Sequence, residues 1–412
     1  MSPTPEGGVE SGYAWVRLAA AVCLSTLGGV GLWSIVVALP VVQEEFGALR
    51  AGASLPYTLT TIGFAIGGVF MGRLADRFGV MVPVIGGTVA LSAGYIATAF
   101  AGSLTGFALI YGVLIGLLGS CAVFGPLVAD TSLWFSRRRG LAVSLCASGN
   151  YFAGALWPPV LQHFIDTVGW RQAHIGIGVF CLVTMLPLAL VLRRPPPIQP
   201  GTPAPGIGGR LHGTFGLPPN ALQALLMVAG ISCCVAMAMP QVHIVAYCVD
   251  LGYGAARGAE MLSLMLACGV VSRLASGWIL DRIGSVATLL LGACLQAVAL
   301  SLFLPFDGLV SLYVVSAVFG LFQGGIVPSY AIIVREAFPP QEAGLRVGLV
   351  LSATLVGMAL GGWMSGAIFD ATASYQMAVI NGLAWNLVTT GIAGWLLWRS
   401  RAGFAAPQAR PI

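Results

Sequence analysis

The sequence contains no lysine: its nineteen basic residues are all arginine, and charged residues of both signs make up only 8% of the chain. An ordinary globular domain carries roughly 25%, so a water-solvated surface of the usual kind is excluded. The phosphate loop G-x-x-x-x-G-K-[ST] needs a lysine and cannot occur, which removes nucleotide-driven chemistry of that type. Histidine is scarce, with four in 412 residues, and none of the nine cysteines forms a C-x-x-C pair. No metal-ligand spacing or catalytic motif is visible, so neither a cofactor nor an enzymatic role is expected, and the cysteines read as small packing residues without disulfides.

What remains is apolar. Hydrophobic residues make up 58% of the sequence, and runs of about 20 of them, enough to cross a hydrocarbon core of about 30 Å, recur from end to end. The predicted spans are 16–42, 54–72, 80–102, 104–130, 141–165, 173–192, 219–247, 259–280, 286–304, 309–334, 347–369 and 377–398. This pattern predicts an all-α membrane protein of twelve transmembrane helices. The first twelve residues are polar and lack a basic n-region, so the first span reads as a retained helix and not as a cleaved signal.

The arginines set the orientation. Placing the N-terminus in the cytoplasm puts fifteen of the nineteen on the cytoplasmic side, leaves Arg50, Arg171 and Arg257 outside, and leaves Arg273 within a span. The positive-inside rule therefore predicts cytoplasmic termini and an even number of spans in a multi-pass cytoplasmic membrane protein. The basic balance reflects topology, and no nucleic-acid partner is expected.

The chain divides at a Pro- and Gly-rich stretch, "RRPPPIQPGTPAPGIGGRLHGTFGLPP". It reads as a cytoplasmic linker over 193–218 that joins a six-helix bundle, 1–192, to a second one with a short tail, 219–412. The two bundles repeat each other. "GRLADRFG" at Gly72 to Gly79 and "GWILDRIG" at Gly277 to Gly284 both read G-x-x-x-D-R-x-G, offset by 205 residues. A second pattern, G-x-x-x-G-G-x-x-x-G, falls at Gly63, Gly67, Gly68 and Gly72 in the second span and at Gly357, Gly361, Gly362 and Gly366 in the eleventh. Glycines four apart share a helix face and admit another backbone closely, which predicts a movable contact between the halves.

With Gly72, Leu74, Asp76, Arg77 and Gly79 matching G-x-L-a-D-r-x-G, the chain resembles the major facilitator superfamily over essentially its whole length. The resemblance implies two pseudo-symmetric bundles around a midplane site. It also gives the motif an electrostatic use, with the aspartate meeting a helix N-terminus and the arginine a carboxylate. Asp130, and Glu336 beside Arg282 next to Asp281, are the expected partners in cytoplasmic latches, with a proton-coupling role for Asp130 as the alternative. "ESGYAWV", Glu10 to Val16, and "WFSRRRGLAVSLCASG", Trp134 to Gly149, resemble signatures of the monocarboxylate porter branch, which includes the oxalate and formate exchangers. Ser11, Ser144 and Cys146 depart from those signatures.

Arg273 is the residue with the sharpest chemistry. It lies eight residues before Asp281, hence about 12 Å inside its helix at roughly 1.5 Å per residue. An unpaired arginine at that depth costs from about 3 kcal/mol upward, and positions 269 and 277, one turn away on either side, are glycines. A guanidinium binds a carboxylate through two parallel hydrogen bonds and stays charged, so the substrate is expected to supply the missing anion. The resemblance implies the same, because an arginine at this place in the eighth span holds the substrate carboxylate in that branch. The oxalate exchanger adds a lysine in the eleventh span, and animal monocarboxylate transporters add an aspartate one turn before the arginine. Here the eleventh span has no charge and position 269 is glycine, so one carboxylate is expected and those coupling devices do not transfer.

His243 is the only histidine well inside a predicted span and is a candidate for the symported proton or for the substrate, against a packed, satisfied histidine. Gln241, Gln323, Tyr330, Asn150, Tyr151 and Tyr111 are further candidates for the cavity wall, each weighed against a helix-to-helix hydrogen bond. The expectation is a monomeric secondary carrier for a small monocarboxylate of the lactate, pyruvate or 2-oxo acid type, working by alternating access with proton symport or anion exchange. The rivals are a drug efflux carrier and a non-transporting membrane sensor.

Overall fold

The computed structural model describes residues 9–196 and 215–402. Most of the linker expected at 193–218 lies outside the described residues, as do both chain ends. Helices α1 (Gly12–Glu45), α2 (Arg50–Phe78), α3 (Met81–Ala99), α4 (Leu104–Trp134), α5 (Arg139–Val168) and α6 (Trp170–Leu190) form one bundle. Helices α7 (Pro219–Asp250), α8 (Ala255–Ile283), α9 (Ser285–Ser301), α10 (Leu309–Ala337), α11 (Pro340–Thr372) and α12 (Tyr375–Arg401) form the other. They coincide with the twelve expected spans; most run a few residues further because helix continues past the apolar core into the interface, while α3 and α9 are shorter than expected, ending at Ala99 and Ser301.

Helix ends follow local chemistry. The hydroxyls of Ser11, Ser103 and Ser374 accept from backbone N–H groups of α1, α4 and α12, satisfying donors that the first turn leaves open. Gly79 and Gly284 close the two copies of the G-x-x-x-D-R-x-G motif at φ +81° and +88°, a backbone that a side chain disfavours. The repeat is therefore one of conformation as well as of letters.

Three helices are interrupted near mid-depth. In α1 the break is at Gly29 and in α10 at Gly324–Gly325, while α4 passes through a π-helical stretch, Tyr111–Gly119, and a 3-10 turn, Ser120–Val123. Such interruptions free backbone groups and commonly mark hinges.

The halves meet through α2 against α11, α5 against α8, and α1 against α7. The doubled glycine pattern has two faces. A Cβ on Gly63 would sit 2.9 Å from Leu117 N, and one on Gly357 would sit 2.9 Å from Ile231 Cα, so these glycines pack within their own halves. The other pair points across. A Cβ on Gly366 would be 2.9 Å from Ala51 N, whereas Gly68 and Gly72 face open space. The halves thus touch at the end remote from the chain termini and separate at the terminal end, where Asp76, Arg77, Asp281 and Arg282 are exposed. A groove lined by Ile62, Val69, Arg73, Ser352 and Val356 opens between α2 and α11 on that side.

The contact at the remote end is polar. Arg50 on α2 donates to both carboxylate oxygens of Asp250 on α7, at 2.9 and 3.1 Å. Its guanidinium also lies 4.8 Å from the Phe369 ring. About two turns further along α2, Thr58 donates to Ala359 O at 3.3 Å.

Candidate functional site

Helix α8 carries Arg273 into the interior while Val271, Leu274 and Trp278 of the same stretch are exposed on its outer face. This explains how an arginine survives in an apolar run: the helix turns its apolar residues to the bilayer and its arginine to the seam with α5. There Arg273 Nη1 donates to Ala147 O at 3.2 Å, and the guanidinium carbon lies 4.1 Å from the centre of the Tyr151 ring. Ala147 and Tyr151 are one turn apart on α5, so a single face of that helix meets the guanidinium with a carbonyl and a π surface. Arg273 Nε is buried with no hydrogen-bond partner, and among the described residues Arg273 has no carboxylate partner.

Around it lie several of the expected residues. Gln241 Nε2 on α7 donates to Gln323 Oε1 on α10 at 3.0 Å, which leaves the Gln323 amide nitrogen buried and unpartnered. That nitrogen would be 3.7 Å from a Cβ built on Gly269, one turn before Arg273. Asn150 precedes Tyr151; its backbone carbonyl accepts from Trp33 Nε1 at 3.1 Å, and its side-chain oxygen is buried without a partner. Tyr330, by contrast, is fully buried on α10 beyond the break, beside Cys233 and Cys234 of α7 and Thr389 of α12, and not against Arg273. Trp33 was not singled out from the sequence, being an apolar residue in an apolar run, and Gly269 was read only for the acid it lacks.

Two candidates are occupied elsewhere. Tyr111 belongs to a buried chain within the first half: its hydroxyl meets Ser34 at 3.1 Å and His174 Nε2 at 3.4 Å, Ser34 meets Tyr95 at 2.6 Å, and His174 Nδ1 meets Thr98 at 3.0 Å. His243 has both ring nitrogens engaged, with Gly362 O at 2.8 Å and with the Tyr375 hydroxyl at 3.1 Å. It joins α7 to α11 and α12 as a packed, satisfied histidine.

The latch residues are also paired differently from the expectation. Asp130 is held by Arg17 on α1 through two bonds of 2.9 Å, with the Arg17 guanidinium 4.7 Å from the Trp134 ring, so it is not the partner of Arg77. Arg77 lies instead over Phe78. Glu336 accepts from Ser285 at 2.5 Å, and Arg282 stacks on Trp278 at 3.5 Å. The reason lies within each half: Asp130 is already satisfied by Arg17 and Glu336 by Ser285, while the two arginines lie over the aromatic rings beside them on their own helices.

The two stretches that carried the finer resemblance fold against one another. Glu10 accepts from Arg138 N at 2.7 Å and Ser136 N at 3.3 Å, while the Tyr13 and Trp15 rings meet Trp134 and Phe135 with centroids 5.4 and 5.0 Å apart. The signature of α1 thus packs on the approach to α5, the helix that carries Asn150 and Tyr151.

Comparison with known proteins gives three consistent results. The profile described as Major Facilitator Superfamily matches residues 21–311 and 261–411. Monocarboxylate transporter 11 of Homo sapiens is 30% identical over 92% of this chain and 82% of its own length. Monocarboxylate transporter 13 of Rattus norvegicus is 29% identical over 93% of this chain and 89% of its own. Among solved structures, a bacterial homologue of the human lysosomal transporter Spinster, in an inward-facing and unoccupied conformation, superposes with a TM-score of 0.74 at 14% identity. That match covers 97% of this chain and 99% of the other.

Proposed function

The chain belongs to the major facilitator superfamily, and we propose that it is a secondary carrier for a small monocarboxylate, anchored on Arg273 at mid-depth. The observation that carries this reading is the state of Arg273: a buried-face guanidinium with an unpartnered Nε and no acid among its contacts. An arginine there needs an anion to offset its burial, and the Nε edge suits a carboxylate held by two parallel bonds. The similarity to proteins named monocarboxylate transporters supports the same substrate class.

Alternating access follows from the glycine faces. Closure of Gly362 and Gly366 on α2 would alternate with closure at Gly68 and Gly72. We place both termini in the cytoplasm of a cell whose cytoplasmic membrane holds the protein, so the separated end faces inward, and we take the functional unit to be the monomer.

Anion exchange is the coupling mode these residues favour over proton symport. Among the described residues no acid accompanies Arg273, and the hydrogen-bonding capacity of His243 is already used. Loaded with a monoanion the site is neutral, and empty it carries a charge whose exposure at mid-membrane costs about 3 kcal/mol or more. The loaded carrier therefore reorients more readily than the empty one. Uptake of labelled pyruvate into proteoliposomes with and without internal pyruvate tests this: strong dependence on internal substrate supports exchange, while equal uptake driven by a proton gradient contradicts it.

A further inference from the structure

The first turn of α2 grips two carboxylates, and both come from the other half. Asp370 at the end of α11 accepts from Arg50 N with one oxygen and from Ala51 N with the other, both at 2.8 Å. Asp250 at the end of α7 accepts from Arg50 Nη2 at 2.9 and 3.1 Å. Arg50 is only 6% exposed, its guanidinium packs on the Phe369 ring, and its Nε is buried without a hydrogen-bond partner. Two open backbone N–H groups, the positive end of a 29-residue helix and a guanidinium are thus gathered at one place, which makes an anion site.

The donors all belong to α2, while the acids are supplied by α7 and α11. When the halves part at this end, as alternating access requires, the donors stay together and lose both acids at once. What remains is the same site turned to the external solution: two N–H groups spaced for the two oxygens of one carboxylate, with a charged fork beside them. The Asp250 side chain is 30% exposed and Asp370 is exposed, so a dissolved anion reaches the place that each acid leaves.

We propose that the first turn of α2, with Arg50, is a second carboxylate site at the outer mouth, filled by Asp250 and Asp370 while this end is closed and by a free carboxylate once it opens. This rests on the reading of the chain as an alternating-access carrier of carboxylates with this end outside, and adds to it a link between external substrate and the gate. Arg273, at mid-depth, serves the carrier whichever end is open. The outer site is free only with the halves parted, and a ligand that binds one state alone shifts the population toward it. External substrate therefore opens its own entrance, and the two acids set the concentration at which it does so.

The test is pulsed electron resonance on spin labels at Gly47 and Gly252 in lipid nanodiscs, titrated with pyruvate or with chloride at matched ionic strength. Arg273→Ala is the background, because it removes the mid-depth anchor. Pyruvate should still enlarge the separated population there, and chloride should do so less, since a single sphere does not meet two N–H groups as two oxygens do. Adding Asp250→Asn removes one competitor and should lower the half-maximal pyruvate concentration about ten-fold, the lower end of what a hydrogen bond to a charged group is worth. Adding Arg50→Gln should abolish the response over the same concentration range. A pyruvate response absent from both Arg273→Ala and Arg273→Ala/Asp250→Asn overturns the proposal, as does one that survives Arg50→Gln or that chloride matches. Counterflow of labelled pyruvate by Arg273→Ala is run alongside: parent-like exchange there removes the mid-depth anchor, while the Arg50→Gln comparison still decides the outer site.

Discussion

Asp370, at the end of α11, caps α2 across the seam between the halves: its carboxylate accepts from Arg50 N and from the next N–H, of Ala51, both at 2.8 Å. A helix in one half is thus terminated by a side chain from the other. Removing the cap in Asp370→Ala should cost about 1 kcal/mol of closure at this end. Spin labels at Gly47 and Gly252, measured by pulsed electron resonance, should show a larger separated population than in the parent. An unchanged distance distribution would mean that the cap does not hold this end shut.

The glycine faces predict opposite outcomes for one substitution at two places. Gly366→Leu drives a side chain into the backbone of Arg50 and Ala51 and should force the remote end apart. Gly72→Leu enters open space, so the observed conformation should tolerate it, while closure of the terminal end should be blocked and transport lost. Thermal stability and paired spin-label distances at each end separate the two, and equal behaviour of both variants would count against alternating contacts.

Arg17 and Asp130 are both nearly sealed from solvent. Truncating either one strands the other, so Asp130→Ala should lose about 3 to 5 kcal/mol, whereas replacing both by leucine should recover much of it. Melting temperatures in detergent for the single and double variants provide the check. If Asp130 were a proton carrier instead, the single variant would keep its stability and change the pH profile of transport.

His243→Gln should lower the melting temperature, since Gly362 O or the Tyr375 hydroxyl loses its partner at a cost of about 1 to 3 kcal/mol. The pH profile of exchange should keep its shape. A profile that flattens in this variant would return His243 to the proton pathway that the sequence suggested.

The fold was legible because its signals are periodic and redundant. Twelve apolar runs, the arginine bias and the repeat ending at Gly79 and Gly284 each point the same way. Arg273 stood out for the opposite reason, as a lone charge that no neighbour in sequence explains. The companions of Arg273 were only partly legible. Tyr151, Asn150 and Gln323 come to its neighbourhood, but polarity within a span does not tell a cavity wall from a bundle interior, so Tyr111 and His243 looked equivalent to them. The pairing of Arg17 with Asp130 was hidden because an arginine near a helix end reads as a flanking charge. Gly269 was read for the side chain it lacks, and its contact with Tyr151 depends on how α5 and α8 meet.

The central claim is that Arg273 binds the substrate carboxylate. Counterflow of labelled pyruvate into pyruvate-loaded proteoliposomes, with parent, Arg273→Lys and Arg273→Ala protein of matched melting temperature, tests it directly. The account predicts that Arg273→Ala loses about thirty-fold or more in pyruvate affinity, the cost of leaving a charged group without its partner, and that lysine, which lacks the planar fork, restores little of it. A folded Arg273→Ala that exchanges pyruvate as the parent does would contradict it.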